Sequence, residues 1–381
     1  LRIDGLLADQ TVCVLVDAGQ NVSTDDLLDD DADEYLAAIC LTHAHLDHYQ
    51  SLGDALAHGA PVYAATDTAT MLEDVFAAGA AHYDLTNTDR VLDQLEPIAE
   101  WTRIVSGLRV HPVPAGHTPG AAGFLFEVTA DDERRTILVT GDFTTRRAAG
   151  YPGFDRDLPV NVDVLVLTAA TSETFEATLT DAVGAICERV WAGSTVLTTA
   201  SGLTGLHLAY LLGHLADQWD ERLPITLAGH VAKLYDRLEY TVPNVETSAE
   251  FADPAAVLEA DGVTIAGPEV PIDGSAKRLF ETIADDPGAT LRKWREEFGV
   301  SGTELADELD VSASVVSDYE SGRRESPGIG VVRRFVEGLL DIDQRRGGDR
   351  LRQFARVLSA GFESDIVHDL REYPATIPLS R

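Results

Sequence analysis

Thr42-His43-Ala44-His45-Leu46-Asp47-His48 is the stretch that decides how this chain folds. Four of its seven residues can bind a metal ion. They follow Ala37 to Leu41, a short apolar run with the character of a buried strand. Alternate side chains of a strand share a face, so His43 and His45 point to one side as the strand ends. Asp47 and His48 come next, where the chain turns toward the apolar-periodic stretch Leu52 to Ala57. Two imidazoles plus a carboxylate–imidazole pair can hold two divalent ions side by side. Ions about 3.5–4 Å apart polarise a phosphoryl or acyl oxygen and clamp both reacting oxygens. With 11 His in 381 residues, a cluster of this kind is rarely a chance event.

The remaining acidic and imidazole residues recur in the same setting. Asp17 follows the strand-like Val12 to Val16, His117 follows the alternating stretch Leu108 to Val113, and Asp142 follows Thr136 to Val139. Each lies just past a strand's end, where an α/β fold gathers its chemistry. An early Asp, H-x-H-x-D-H at His43 to His48, H-T-P-G at His117 to Gly120 and T-G-D at Thr140 to Asp142 resemble the metallo-β-lactamase superfamily over roughly residues 1–170. The resemblance implies an αββα sandwich in which His43, His45 and His117 form one metal site. It implies that Asp47 and His48 contribute to a second site and that Asp142 bridges the two. Asp17 would orient a ligand from behind. Zinc is the expected ion, because imidazole-rich, thiolate-free sites suit it best, and manganese is the alternative. Two ions are expected, the second held more weakly.

Composition sets the surroundings. Sixty-four acids face 29 bases, a formal charge of −35, and only three of the bases are Lys. Such a surface repels itself at low salt, and at molar salt the screening length falls to about 3 Å. The charge therefore points to the cytoplasm of an extreme halophile, an archaeon. No apolar run approaches the roughly 18 residues of a membrane span, and no leader is visible. Cys13, Cys40 and Cys187 have no paired spacing and read as core residues of a reducing compartment. From Ser275 onward 20 acids face 16 bases, against 44 and 13 before it, which places a boundary near residue 275.

After Asp142, helix-like and strand-like segments alternate from Val162 to Ala266, as in an α/β layer with a parallel sheet. An α/β insertion after the T-G-D motif resembles the β-CASP branch of the superfamily, which includes ribonuclease J. That likeness implies phosphodiester cleavage of RNA or DNA. Three features depart from it. Thr168 stands where the branch has an acidic residue, Ser201-Gly202-Leu203-Thr204-Gly205 replaces its Gly-Arg helix start, and its late metal-binding His has no counterpart here.

Further on, Ser301 can cap a helix with Glu304 at the capping-box position. Asp310 suits the left-handed geometry of a turn, and Ser312 can cap a second helix, Ala313 to Ser321. Leu305, Ala306, Leu309, Val311, Val316 and Tyr319 are spaced to fill one small core, as in a helix-turn-helix. Residues 288–343 resemble the Cro/repressor (Xre-type) family of archaeal type. By that likeness Ser314, Val315, Ser317 and Asp318 face bases in the major groove, and Arg323 and Arg324 meet phosphates. The expected domains are 1–170 (metallo-β-lactamase), 171–275 (β-CASP-like insertion and return strand), 276–345 (helix-turn-helix) and 346–381, a helical tail with an apolar stripe for a second copy or a longer regulator. The expected function is a dinuclear metal-dependent hydrolase, nuclease-like, with RNA or DNA at the metal cleft and duplex DNA at the helix-turn-helix. The alternative is a DNA-binding transcriptional regulator whose metallo-domain has lost catalysis.

Overall fold

The computed structural model describes residues 1–346 apart from 30–32, 81, 131–132, 146–151, 155–156, 169–174, 192–194, 219–221, 260–261, 269–270, 272, 284–290, 293–294, 297, 322 and 324–328. Arg324 and the expected tail beyond residue 346 lie outside the described residues. The chain divides into two compact units, Leu1–Ala170 with Leu234–Thr241, and Thr171–Lys233 with Val242–Arg381.

The first unit contains β1 (Arg2–Ile3), β2 (Thr11–Val16), α1 (Thr24–Leu27), β3 (Glu34–Leu41), α2 (Leu46–Tyr49), β4 (Val62–Ala65), α3 (Thr66–Gly79), α4 (Thr88–Asp93), β5 (Leu95–Ile98), β6 (Thr102–Val105), β7 (Leu108–Pro114), β8 (Ala122–Ala130), β9 (Glu133–Val139) and β10 (Val164–Val166). These strands form two five-stranded sheets, ordered β1-β2-β3-β4-β5 and β10-β9-β8-β7-β6. The first is parallel from β2 to β5. The second is antiparallel from β6 to β9, with β10 added parallel at its edge. Val12, Val14, Ala38 and Cys40 of one sheet pack against Leu108, Val110, Phe124 and Phe126 of the other. This is the two-sheet α/β sandwich expected from the sequence. The outer face of the second sheet carries a further apolar cluster. Val113, Leu125 and Leu138 are covered there by Trp101, Phe154, Leu158, Val160 and Val162, among the described residues.

Register positions the site. β3 is buried along most of its length, as central parallel strands are. Its pairing of Cys40 with Val16 sets Asp17, the next residue of the neighbouring strand, beside Thr42. In the second sheet Pro114 pairs with Ala122, and Phe124 with Val139, so the turns carrying His117 and Asp142 leave from one end. A bridge between Gly116 and Phe143 joins these turns. The Ala122 N–H donates to the Thr42 carbonyl at 2.9 Å and ties the two sheets together at the same place. Leu52, Ala55 and Leu56 are buried as the periodicity implied, but they lie in successive turns; only Leu46–Tyr49 forms a helix here.

In the second unit a parallel sheet is ordered β11 (Val196–Thr199), β14 (Val263–Ala266), β12 (Ile225–Ala228), β13 (Val245–Ser248). It is accompanied by α5 (Phe175–Trp191), α6 (Gly202–Gln218) and α8 (Gly274–Ile283), while α7 (His230–Arg237) has its first four residues in this unit and its last four grouped with the first. The polar strand β13, Val-Glu-Thr-Ser, has no buried residue and lies at an edge, so hydrophobicity does not mark it. Ala276 and Leu279 of α8 are fully buried against Ala228, Val257 and Ala266. The packing of this sheet therefore runs past the charge boundary near residue 275.

The remaining helices are α9 (Gly302–Glu308), α10 (Ala313–Glu320) and α11 (Ile329–Arg345). Ser301 Oγ accepts from the Glu304 N–H at 3.1 Å, and Asp310 has φ 52°. Ser312 holds the capping position of α10 without capping through its side chain; its hydroxyl meets that of Ser314 at 2.8 Å. Leu305, Ala306, Leu309 and Val316 form one core with Phe335, Leu339 and Ile342 of α11, and Val311 and Tyr319 pack on it.

Candidate metal centre

Side chains from four separate turns meet at the strand ends of the first unit. His43 Nε2 lies 2.9 Å from His45 Nδ1, and His117 Nε2 lies 3.3 Å from the same atom. His48 Nε2 is 3.2 Å from Asp47 Oδ2 and 3.7 Å from Asp142 Oδ2. Asp142 Oδ2 is also 3.6 Å from His117 Nε2, so this carboxylate stands between the two halves of the cluster. Two groups of three have ligand atoms within 4.8 Å of one another: His43, His45 and His117, and His43, His48 and Asp142. Asp47 falls outside both groups, touches His48, and is the most exposed of the cluster's acids at 35%.

Hydrogen bonds behind the cluster set its tautomers. Asp17 accepts from the Thr42 N–H at 2.7 Å and from the Thr42 hydroxyl at 2.8 Å. With that proton committed, Thr42 Oγ1 accepts from His43 Nδ1 at 3.0 Å, which leaves the Nε2 lone pair facing the cluster. His48 Nδ1 donates to Asp17 Oδ2 at 2.8 Å and likewise turns Nε2 inward. Such partners fix ring orientation and strengthen an imidazole as a ligand. Asp17 thus sits behind Thr42 and His48.

The donor set fits a divalent ion. Three tetrahedral imidazole ligands of zinc, at roughly 2.0–2.1 Å, have nitrogens about 3.3 Å apart, close to the separations seen around His45. Burial, reinforced by the neighbouring imidazoles, holds His43 far below the ordinary histidine range. Burial likewise lowers His45 to about 4 against the opposing pull of Asp47. Both rings are therefore neutral near pH 7, the form that ligates. His48 is the opposite case. Burial works against its charge, but hydrogen bonds that its ring donates to the carboxylates of Asp142, Asp17 and Asp47 overcome that and raise its pKa.

Several supporting residues carried no sequence signal. Thr68, fully buried at the start of α3, donates its hydroxyl to the Gly120 carbonyl at 2.7 Å and fastens the turn that carries His117. Gly120 has φ 80°, and a Cβ there would lie 2.6 Å from the Thr68 nitrogen. A Cβ on Gly19 would lie 2.1 Å from the Asp47 carbonyl oxygen, so only glycine lets the Asp17 turn approach the histidine turn. Of the histidines outside the motifs, His58 stacks on Tyr35 and His111 on Trp101, away from the cluster.

At the other expected site, Ser314 and Ser317 of α10 are exposed, and Val315 and Asp318 are partly so. Exposed Arg323 reaches Asp318 at 3.7 Å. Glu320, unremarked in the sequence, is buried and bidentate to Arg295 at 2.6 and 2.8 Å.

Two facing sheets with a His/Asp cluster at their strand ends, joined to a compact helical module, define a metallohydrolase-like domain carrying a DNA-binding domain. The Beta-lactamase superfamily domain matches residues 13–189, and the Helix-turn-helix domain matches residues 288–344. The chain is similar to an uncharacterized HTH-type transcriptional regulator of Methanocaldococcus jannaschii, 37% identical over 98 residues (26% of this chain, 41% of that protein). It is also similar to a ribonuclease of Thermus thermophilus, 30% identical over 219 residues (53% of this chain, 49% of that protein). A DNA cross-link repair protein of Schizosaccharomyces pombe is 31% identical over 106 residues (28% of this chain, 17% of that protein). The chain spans less than half the length of each of these relatives.

Proposed function

We propose that the protein is a metal-dependent phosphodiesterase of nucleic acid, brought to its substrate by the helix-turn-helix. The observation that carries this reading is the convergence of His43, His45 and His117 nitrogens beside the Asp142 carboxylate. His43, His45 and His117 hold one zinc ion; His48 and Asp142, with Asp47 beside them, hold a second more weakly. Bound there, the ions supply Lewis-acid polarisation of a phosphoryl oxygen and an activated water. Asp17 and Thr42 keep the imidazole lone pairs turned inward. Asp47, exposed at the rim, is the group placed to take a proton from an attacking water and pass it to solvent. The ribonuclease and repair relatives support a nucleic-acid substrate. The scattered acids and the charge of −35 support work in the cytoplasm of a halophilic archaeon.

The test is hydrolysis of a generic phosphodiester, then of RNA and DNA, by zinc- or manganese-loaded protein in molar salt. Asp142→Asn should abolish it, because the carboxylate between the two halves loses its charge. Activity that survives this change, or exhaustive chelation, would overturn the mechanism. A second reading, a regulator with a silent metallo-domain, is favoured by Thr168 and by the missing counterpart of the branch's late metal-binding His. Thr168 stands where the β-CASP branch has an acid, and its N–H lies 3.4 Å from the Thr140 hydroxyl. A metal-loaded protein inactive on both nucleic acids, yet selective for a duplex sequence, would decide for that reading.

A further inference from the structure

The least protected surface of the first unit is the strand β10. Val164, Leu165, Val166 and Leu167 are 48–54% exposed, and they supply four of the six large exposed hydrophobics among the described residues. Among the described residues β10 is the outer strand of its sheet and pairs with β9 alone. Neighbouring residues of a strand point to opposite faces. Both faces of β10 are therefore bare along with its outer edge. An uncovered apolar edge of this kind pairs with another strand or aggregates.

We propose that β10 is the contact through which two copies of this chain join, edge to edge and antiparallel, making one continuous sheet across a twofold axis. Three observations select a second copy over another partner. The segment from Val164 to Thr168 carries no charge in a chain of net −35, so it is a place where two such acidic surfaces meet without stacking carboxylates. The segment is also complementary to itself. An antiparallel pairing centred on Leu165 sets Leu165 against its own copy and Val164 against Val166. It sets Asp163 against Leu167, so no acid faces an acid. Such a contact is isologous and closes at two copies instead of growing. Finally, a twofold supplies the pair of helix-turn-helix domains that a pseudo-palindromic duplex site requires. The inference stands apart from the metal chemistry.

The experiment is sedimentation equilibrium of the full chain in molar salt, with two variants. The wild type should run at twice the chain mass at micromolar concentration. Leu165→Lys places a charge at the axis and should return the protein to the monomer, with far-UV circular dichroism unchanged. Leu165→Cys should form a disulfide-linked dimer on mild oxidation, since directly opposed residues of such a pair have Cα atoms about 5.5 Å apart, within bridging range. The native cysteines are all buried and do not compete. A monomeric wild type would overturn the proposal. So would a dimer that neither Leu165→Lys disrupts nor Leu165→Cys cross-links, even if one of the variants folds poorly.

Discussion

Residues 17 to 142 supply the metal cluster, which draws polar side chains from turns scattered along both sheets and holds them by hydrogen bonds at buried positions. Residues 291 to 342 supply the helix-turn-helix core, which is almost wholly apolar, local in sequence, and flanked by the part-buried ion pair Arg295–Glu320. The first arrangement leaves imidazoles crowded and carboxylates close together, a state that a cation relieves. The second is complete by itself. A binding site can be recognised by what it leaves unfinished, whereas a scaffold leaves its groups matched.

The sharpest way to break this contrast is Glu320→Ala. It removes two charge-assisted hydrogen bonds from the part-buried Arg295 guanidinium, which keeps its bond to the Val300 carbonyl, and costs about 1.5–3 kcal/mol. The helix-turn-helix should lose its cooperative melting in high salt while metal content stays unchanged. A fall in metal content would show that the two regions depend on each other.

Asp17→Asn should act the other way. An amide cannot accept from both Thr42 and His48 as the carboxylate does, and loss of such a partner lowers metal affinity by roughly 10–100-fold. Titration with cobalt, followed by its absorption spectrum, should show the loss with duplex binding untouched.

Thr68→Val is smaller. It removes the bond to the Gly120 carbonyl, and a buried group left unpaired costs about 1–3 kcal/mol. The same titration should show weaker binding at the His117 side, and Thr68→Ser should restore it. Equal affinity in all three proteins would mean that the His117 turn needs no clamp.

The smallest effects belong to the DNA surface. Arg323→Ala should weaken binding to all duplexes alike and reduce the salt slope by about 1, whereas Ser317→Ala should change the preferred sequence. A sequence-dependent effect of Arg323→Ala would place that residue at a base edge.

What was legible follows the same division. His43, His45, His48, His117, Asp17, Asp47 and Asp142 stood out because such residues are costly to bury and recur at strand ends. The caps of the helix-turn-helix, Ser301 and Asp310, stood out because their partners are three or four residues away. Thr68 and Gly19 did not, because their contacts cross 52 and 28 residues and depend on packing that no local pattern encodes. Glu320 reads as an exposed helix residue until its partner, 25 positions earlier, is known. Strand β13 lacks an apolar face and so lacks a pattern.

The central claim is that the imidazoles of His43, His45 and His117 hold a divalent ion. Elemental analysis of the full chain, purified without added metal, loaded with zinc and dialysed in molar salt, tests it directly. Between one and two ions per chain, falling below one in His117→Ala, is the predicted result. A folded protein that retains no metal would contradict it.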